Sequence, residues 1–473
     1  MQNLLKKYSI LVLLSLYFIA AVIILFNSNG TGENGSGDSV LHYLYSKYAT
    51  TDFVLFLNHW AKPVFVLLSF PFAKMGIIGI KFFNIIVSLF TIFYTFKTAE
   101  ALNYKNKLLG AIILIATPLY FSLTFSGLTE PLFALFTIFS TYLFIKNNYL
   151  FGAIILSFLP FVRSEGLIFI GVFSFFLLLK KQWKYIPFII TGHVVYSIIG
   201  YFHYHDFLWI FNKIPYAKLS SNYGNGELLH FVNQLFYVVG FPIYLLLVAG
   251  IIKIIATYFT DKTAIFNATS ILIFGGFLTY FIAHSLFWYF GIFNSMGLKR
   301  VLIAVAPLIA LIALNGFNLL TENSLLKNNI IKKSISFALI FFIVIFPFTS
   351  NKAALSWEKD FSLSVNQKLA KEVVEYLEKN ENLSNKKYIF SNPYLSEILD
   401  INYFDTKIRK ELTIENIQQS NSNDIIIWDN WFCIVENGIS EEKIRSQSFL
   451  KEVKSFKTMD GNKEISYIIF VKE

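Results

Sequence analysis

The chain has 473 residues, of which 55% are hydrophobic and 18% aromatic, while only 15% are charged. Soluble domains average about 25% charged residues, so the composition excludes a single soluble globule. Apolar runs close to the ~20 residues that cross a bilayer recur from Tyr8 to about Thr349, which predicts a polytopic membrane protein.

The net charge of +10 is distributed unevenly along the chain. Residues 1–350 hold 23 basic and ten acidic residues, whereas residues 351–473 hold 17 basic and 20 acidic ones. Lysine beside a membrane span is an ordinary topology signal, and anionic headgroups are its ordinary partners. The positive charge therefore indicates membrane lipid as a partner and gives no reason to expect nucleic acid.

The apolar runs predict a mostly α-helical protein with about 11 transmembrane helices. The first run follows Lys6 and Lys7 and lacks a small-residue cleavage site, so we expect an uncleaved anchor with a cytoplasmic N-terminus. Lysine recurs in the loops that this orientation places inside, and the odd number of spans places the C-terminus outside. The predicted spans are 8–26, 77–97, 108–125, 130–146, 150–163, 166–180, 185–203, 234–256, 268–290, 301–320 and 334–350.

Residues 1–350 thus form the expected transmembrane domain, with two long outer loops at 27–76 and 204–233. The first loop contains an apolar piece, Ala61 to Met75, that is too short to span. We expect this piece to lie at the interface or to re-enter the membrane.

Residues 351–473 are predicted to form a small soluble α/β domain outside the membrane, large enough to bury its own core. Cys433 is the only cysteine, which excludes a disulfide or a cysteine-based metal site within one chain. Periodicity predicts helices at Leu363–Lys379 and Ser440–Phe449, and short buried strands at Lys387–Ser391 and Asp424–Trp428.

Ionisable side chains of the membrane part collect at its predicted outer face. Both of its arginines, Arg163 and Arg300, lie at outer ends of spans, whereas the inner loops use lysine. Guanidinium is the better bidentate partner for phosphate, so an anion site is expected on the outer side. The acidic residues predicted inside are Glu100, Asp261 and Glu322, and those predicted outside are Glu33, Asp38, Asp52, Glu130, Glu165, Asp206 and Glu227.

Two outer acids stand in short motifs that have a catalytic and a structural interpretation. Asp38 follows Gly37 just beyond the first span, where it either accepts a proton from an acceptor hydroxyl or is a solvated loop residue. Glu130 follows Thr129 at the start of a span, where it either serves a site or interacts with the helix dipole.

The outer basic residues have similar pairs of interpretations. Arg163 and Glu165 flank a tight predicted hairpin and either face a ligand or pair with each other. Lys299 and Arg300 precede a span and either hold a phosphate or extend to lipid headgroups.

The histidines give no metal signal. They lack the spacing of known zinc sites, and His203, His205 and Asp206 fit an aqueous-interface cluster better than a metal site. His284 lies inside an apolar run, where a hydrogen-bonded core histidine is expected. No metal ligand is assigned.

Together these motifs resemble the GT-C superfamily of integral membrane glycosyltransferases, which use polyprenyl-phosphate sugars. Protein O-mannosyltransferases and lipid A aminoarabinose transferases belong to it, and members commonly end in a soluble domain. The resemblance covers most of the chain in architecture. Its motifs are Gly37-Asp38, His59 to Pro63, Thr129 to Pro131, Arg163 to Gly166, and Lys299-Arg300 ahead of Pro307.

The resemblance implies a mechanism and a set of site residues. Asp38 matches the first-loop carboxylate that acts as general base on the acceptor hydroxyl, with inversion at the sugar carbon expected. The donor phosphate is expected at Lys62, Arg163, Lys299 and Arg300, and the remaining substrate contacts at His42, His59, Glu130 and Glu165.

The resemblance also implies partners and a location. The partners are a polyprenyl-phosphate-linked sugar donor and a glycolipid, glycan or protein acceptor, in a bacterial inner membrane with the C-terminal domain in the periplasm. Members that bind a divalent metal usually show paired acids in the first loop, whereas Asp38 is followed by Ser39, which leaves metal dependence open. The alternatives are a transporter or flippase of lipid-linked saccharides, and an oligosaccharide ligase or polymerase.

Overall fold

The computed structural model describes residues 2–215, 220–221, 223–321, 328–380, 386–422 and 424–473. Glu322 and part of the predicted loop 204–233, namely residues 216–219 and 222, lie outside the described residues.

The described part of the chain is mainly helical in its first 350 residues. The α-helices there are α1 Gln2–Asn27, α2 Gly37–Tyr48, α3 Pro63–Ala73, α4 Ile77–Ala101, α5 Lys107–Ile115, α6 Pro118–Leu123, α7 Glu130–Ile145, α8 Tyr149–Ser157, α9 Leu159–Val162, α10 Gly166–Leu179, α11 Thr191–Tyr204, α12 Trp209–Asn212, α13 His230–Val239, α14 Phe241–Thr260, α15 Gly276–Phe290, α16 Ala306–Thr321 and α17 Asn329–Ile345. Tighter 3₁₀ segments at Phe53–Leu57, Trp183–Ile190, Lys262–Phe266, Lys299–Val305 and Phe346–Phe348 and a π-helical one at Thr269–Gly275 complete them.

The expected mostly α membrane architecture is confirmed, but the expected count of eleven spans is not. Seven helical stretches among the described residues are long and apolar enough to cross a membrane. They are Tyr8–Asn27, Ile77–Ala101, Trp183–Tyr204, Phe241–Thr260, Thr269–Phe290, Lys299–Thr321 and Asn329–Phe348. The predicted span 108–125 is divided between α5 and α6, because Pro118 lacks the amide hydrogen that would continue the helix.

Four further apolar helices are shorter, at Pro63–Ala73, Glu130–Ile145, Tyr149–Val162 and Gly166–Leu179. A side chain of α4 contacts the segment just before α7 and so shows how deep α7 begins. The Asn84 side-chain amide donates to the carbonyls of Ser126 at 2.7 Å and Leu128 at 3.0 Å. α7 therefore begins about two turns below the start of α4. The short helices leave a recess at this end of the bundle.

The opposite end of the bundle is closed by contacts between helix ends. The Tyr104 hydroxyl lies 3.0 Å from Thr269 Oγ1, and Asn106 donates to Asn318 Oδ1 at 2.9 Å. Glu100 lies at this end and pairs with two lysines of the same region. The two ends of the bundle thus carry separate sets of charges.

Close packing of α14 against α16 joins the later half of the membrane part. A Cβ added at Gly316 would lie 2.0 Å from the Leu246 carbonyl oxygen, and one at Gly250 would lie 2.0 Å from that of Ile312. Small residues at such crossings let helix backbones approach each other, which supplies the packing energy that lipid cannot.

The C-terminal domain contains a sheet of five strands in the order β2-β1-β3-β5-β4. β1 is parallel to both β2 and β3, whereas β5 runs antiparallel to β3 and β4. The elements are α18 Val365–Lys379, β1 Tyr388–Ile389, α19 Pro393–Ile398, β2 Arg409–Lys410, α20 Ile414–Gln418, β3 Ile425–Asp429, α21 Glu441–Arg445, β4 Leu450–Asp460 and β5 Lys463–Lys472, with π-helical segments at Trp357–Phe361 and Phe432–Glu436.

The C-terminal domain packs directly on the loop that follows α1. The Gly30 amide donates to the Phe361 carbonyl at 2.8 Å, and the Gln367 side chain donates to Thr31 Oγ1 at 2.7 Å. Gln367 also completes a capping box at the start of α18 with Ser364. The same residue therefore begins the first helix of the domain and holds it on the membrane part.

The α14–α16 crossing predicts a stability difference between two glycine substitutions. Gly316→Ala should lower the free energy of unfolding by about 2 kcal/mol, because backbone atoms of α14 occupy the space of the new methyl group. Gly171→Ala in α10 is the matched control, since its Cβ would meet nothing within 4 Å. Thermal unfolding in detergent would measure both, and equal melting temperatures would contradict the prediction.

Candidate active site

A cavity of about 720 Å³ opens above the recessed helix ends, between the membrane part and the C-terminal domain. It is lined by most of the residues that the sequence analysis assigned to a site, namely Asp38, His42, Lys62, Glu130, Arg163, Glu165 and Arg300. His59 and Lys299 are not among its lining residues.

Glu130 forms the centre of an ionic network in the cavity wall. Its side chain is 1% exposed, and its Oε1 lies 2.9 Å from Arg163 Nη1 and 3.3 Å from Arg300 Nε. It begins α7, while Arg163 follows α9 and Arg300 precedes α16. One buried carboxylate thus joins three parts of the chain that are distant in sequence.

Arg300 extends this network to the first loop. It forms an ion pair with Asp38 and donates from Nη1 to Ser36 Oγ at 2.8 Å. Its Nη1 also lies 3.6 Å from Glu33 Oε2. Arg300 therefore holds the start of α2, which carries Asp38, against the end of the membrane bundle.

Asp38 combines ionisation with access to the cavity. Burial raises the pKa of its carboxyl, but the neighbouring groups, with Arg300 foremost and His42 and Arg163 adding to it, together hold the pKa below its usual range. The carboxyl is therefore ionised at neutral pH. With 41% of its side chain exposed, it remains accessible to a molecule in the cavity.

Arg163 and Glu165 pair with each other, as one of the two interpretations of the sequence expected, and both also line the cavity. Arg163 Nη2 lies 3.0 Å from Glu165 Oε1, and His284 Nε2 lies 3.9 Å from the same oxygen. Burial raises the pKa of Glu165, but Arg163 and the other basic groups nearby lower it by more than burial raises it. The resulting pKa is about 2. The hairpin between α9 and α10 thus presents a fixed charge pair to the cavity.

Lys62 is a buried amine at the edge of this network. Its Nζ donates to Ser164 Oγ at 3.4 Å, and burial lowers its pKa to about 8 although Glu165 partly opposes this. Its backbone has a φ of +66°, a strained conformation for a residue with a Cβ. Lys62 directly precedes the first residue of α3, and its side chain is part of the cavity wall.

The two histidines of the first loop have different positions. His42 lines the cavity and stacks on Trp60, with ring centroids 4.8 Å apart. Burial lowers its pKa to about 3, so it is neutral. His59 packs edge-to-face on Trp209 at 5.6 Å, away from the cavity. The sequence did not reveal this difference, because the two histidines lie in different elements, His42 within α2 and His59 in the turn before α3.

Lys299 lies in a second, smaller cavity of about 430 Å³. That cavity is formed with the segment that leads into the C-terminal domain, including Lys352, Lys359 and Asp360. Lys299 and Arg300 are consecutive but serve different cavities, because the 3₁₀ turn that they begin points neighbouring side chains in different directions.

Several lining residues were not assigned to the site from the sequence. Trp60 and His284 line the cavity, as do Tyr223 and side chains of the C-terminal domain. His284 carried a usable signal, since an ionisable residue inside an apolar span usually has a function. Trp60 carried one too, since it lies within the motif His59 to Pro63. Tyr223 and the side chains of the C-terminal domain carried none, because they reach the cavity only through tertiary packing.

A metal site is not evident among the described residues, where no three histidine, cysteine or acidic side chains converge suitably. The acids of the cavity wall are instead separated by arginine, as Glu130 is by Arg163 and Arg300. The network therefore depends on side-chain cations for its charge balance.

Comparison with known proteins finds a shared fold without a sequence relative. No protein-family profile and no curated protein matches the sequence. A structure of ArnT from Cupriavidus metallidurans bound to undecaprenyl phosphate aligns with a TM-score of 0.61 at 8% identity, over 96% of this chain and 97% of that chain. Its apo structure aligns over the same shares of both chains with a TM-score of 0.60 at 8% identity.

ArnT has the GT-C architecture. The present chain has the GT-C fold. The alignment includes both the membrane part and the C-terminal domain, since it covers 96% of the chain. The architecture implied by the sequence resemblance is thereby confirmed.

The ionic network predicts that Glu130 is a stability determinant. Glu130→Gln should lower the free energy of unfolding by about 3 kcal/mol, because it leaves two buried arginines short of a counter-charge. Glu100→Gln is the control, since its partners are partly exposed and its loss should cost less than about 1 kcal/mol. Thermal unfolding of both variants would decide, and a larger loss for Glu100→Gln would refute the prediction.

Proposed function

We propose that this protein is a membrane glycosyltransferase that moves a sugar from a polyprenyl-phosphate donor to an acceptor hydroxyl. The observation that carries the proposal is the single cavity in which an accessible, ionised Asp38 meets the cations Lys62, Arg163 and Arg300. The GT-C fold supports it, and ArnT binds undecaprenyl phosphate with the same architecture.

The donor phosphate would bind at the Lys62 side of the cavity. Lys62 and Arg163 are cations near Ser164, whose hydroxyl is a further hydrogen-bond donor. Arg163 and Arg300 are already paired with carboxylates, so the wall is close to electrically neutral before a ligand arrives. Such fixed charges stabilise the leaving phosphate as its negative charge develops, without reorganising in the reaction.

Asp38 would accept the proton of the acceptor hydroxyl as it attacks the sugar. The carbon–oxygen bond to the phosphate breaks while the new glycosidic bond forms, and the proton passes to the Asp38 carboxylate. Attack from the face opposite to the phosphate gives inversion. Arg300 lowers the basicity of Asp38 but fixes the orientation of its carboxylate. The contribution of Arg300 to the reaction is therefore mainly the positioning of Asp38.

The distribution of charge supports a one-sided site over a transport path. The described acids Glu33, Asp38, Glu130 and Glu165 gather at the cavity end, while Glu100 pairs with lysines at the far end. A transporter would instead need polar groups along a route between the two ends. We accordingly place the site at the outer face of a bacterial inner membrane, with a cytoplasmic N-terminus and a periplasmic C-terminal domain.

The general-base role predicts that Asp38→Asn reduces transfer by a factor of about 10² to 10⁴. The assay would supply a panel of radiolabelled undecaprenyl-phosphate sugars and membranes of the source organism as acceptors. Asp38→Asn should still bind undecaprenyl phosphate, because the amide keeps the shape of the side chain.

Asp52→Asn is the matched control for that assay. Asp52 belongs to the same loop but only caps the 3₁₀ segment Phe53–Leu57, where it accepts from the Val54 amide at 3.1 Å. Its variant should transfer sugar normally. Near-normal turnover by Asp38→Asn would overturn the general-base assignment, and failure of every donor would overturn the proposed function.

The lowered pKa of Lys62 predicts how donor binding depends on pH. Undecaprenyl phosphate affinity should fall up to about tenfold between pH 7.5 and 9.5, because Lys62 loses its proton near pH 8 while the phosphate, with its second pKa near 6, keeps a constant charge.

Lys62→Arg provides the comparison, because guanidinium stays protonated throughout this range. Its affinity should be nearly constant from pH 7.5 to 9.5, whatever its absolute value. Binding can be followed by tryptophan fluorescence in detergent. Equal pH profiles for the native protein and Lys62→Arg would exclude Lys62 as the titrating group.

A further inference from the structure

The second wall of the cavity belongs to the C-terminal domain and differs from the membrane wall. We call this wall the roof, and it consists of Ser391, Pro393, Tyr403, Glu411, Phe432 and Glu436. The membrane wall opposite carries Lys62, Arg163 and Arg300, whereas the described roof residues include no lysine or arginine.

The roof is held in place by contacts from both domains. At the end of β3, Asp429 accepts from the Trp431 amide at 3.0 Å and from the Phe432 amide at 2.7 Å, which orients the segment Phe432–Glu436. From the membrane part, the Tyr223 hydroxyl donates to Glu436 Oε1 at 2.9 Å. The roof is thus a fixed part of the cavity rather than an exposed loop of the C-terminal domain.

Phe432 lies directly beside the residue that precedes the proposed general base. A Cβ added at Gly37 would lie 2.7 Å from Phe432 Cζ, so the tip of the ring touches the backbone next to Asp38. A molecule packed against this ring would therefore lie close to the Asp38 carboxylate. This is the place that an acceptor must occupy in the proposed reaction.

The roof offers aromatic faces and hydrogen-bond acceptors. Phe432 and Tyr403 supply the rings, and Glu411 and Glu436 supply carboxylates. The nearby cation is Arg409, whose guanidinium pairs with Glu411 and lies 3.7 Å from the centroid of the Tyr403 ring. Arg409 itself is not among the lining residues, so its charge neutralises Glu411 from behind.

We propose that the roof is the acceptor subsite and that it selects an uncharged sugar over a phosphorylated one. Aromatic rings pack on the apolar face of a sugar, while carboxylates accept hydrogen bonds from its hydroxyls. Glu436 faces the cavity with negative charge, which repels an anionic acceptor at short range. Glu411, whose charge Arg409 neutralises, contributes hydrogen-bond acceptors only. The inference rests on the proposed function, because an acceptor is required only if the cavity transfers a sugar.

The test uses full-length protein in detergent and saturation-transfer NMR with two sets of probes. One set contains neutral methyl glycosides of glucose, galactose, mannose and N-acetylglucosamine, and the other contains the corresponding sugar phosphates. Saturating undecaprenyl phosphate is included to occupy the proposed donor site at Lys62 and Arg163. Under this condition the neutral probes should bind and the phosphates should not. Phe432→Ala should weaken glycoside binding about tenfold, because it removes the ring on which the sugar packs. Glu436→Gln should also weaken it about tenfold, the loss typical of a hydrogen bond to a charged group.

Trp431→Ala is the control, since this neighbouring side chain is 48% exposed and does not line the cavity. It should bind glycosides like the native protein, and Phe432→Leu replaces Phe432→Ala if the latter does not fold. Preferential binding of sugar phosphates, an equal loss in Trp431→Ala, or no glycoside binding at all would overturn the inference.

Undecaprenyl phosphate binding, measured on the same samples, separates this inference from the proposed function. It should be unchanged in the roof variants, because Lys62, Arg163 and Arg300 belong to the membrane wall and not to the roof. If the native protein binds undecaprenyl phosphate but no glycoside, only the acceptor inference fails. If it binds neither, the proposed function fails with it.

Discussion

The architecture of the cavity depends on one buried carboxylate, that of Glu130. An unpaired charge is expensive to bury, and here the expense is offset by two arginines that approach the same oxygen from different parts of the chain. Because Arg300 then reaches Asp38 and Arg163 reaches Glu165, the position of each reactive group follows from the position of Glu130. Loss of the central charge would therefore affect the whole wall and not a single contact.

The network could not form without helices of unequal length. α7 begins below the start of α4, so Glu130 lies inside the bundle and not at its surface. The hairpin with Arg163 is recessed with it, since α8 to α10 are also short. A bundle of uniformly long helices would have no room for a cavity of about 720 Å³ above these charges. The short helices are thus part of the site, although their side chains are mostly apolar.

The C-terminal domain completes the enclosure and changes its chemistry. The membrane wall supplies cations suited to a phosphate, and the roof supplies rings and carboxylates suited to hydroxyls. The GT-C fold fixes where the two walls meet, because the domain packs on the loop between α1 and α2 through Gly30 and Thr31. In the proposed reaction, a donor held in lipid and an acceptor outside it would approach Asp38 from opposite sides of this junction.

The sequence alone determined the membrane helices and the polar motifs of the site. Apolar runs reveal membrane helices because burial in lipid demands them, and polar motifs such as Gly37-Asp38 and Arg163 to Gly166 stand out against so apolar a background. The long hairpin of β4 and β5 was missed, because the exposed face of β4 carries charges that hide a strand pattern. The helix break at Pro118 was also missed, since hydropathy does not register the missing amide hydrogen of proline. The bounds of the short helices, predicted at 130–146, 150–163 and 166–180, agree closely with the observed ones.

Tertiary structure alone decided which polar residues meet. Lys299 and Arg300 are neighbours in sequence but belong to different cavities. Of the two histidines in the first loop, His42 lines the main cavity whereas His59 does not. Conversely, Glu130 and Arg300 are far apart along the chain and lie within 3.3 Å. The physical reason is that the sequence specifies which groups cannot remain in lipid, whereas only packing specifies which partner each group finds.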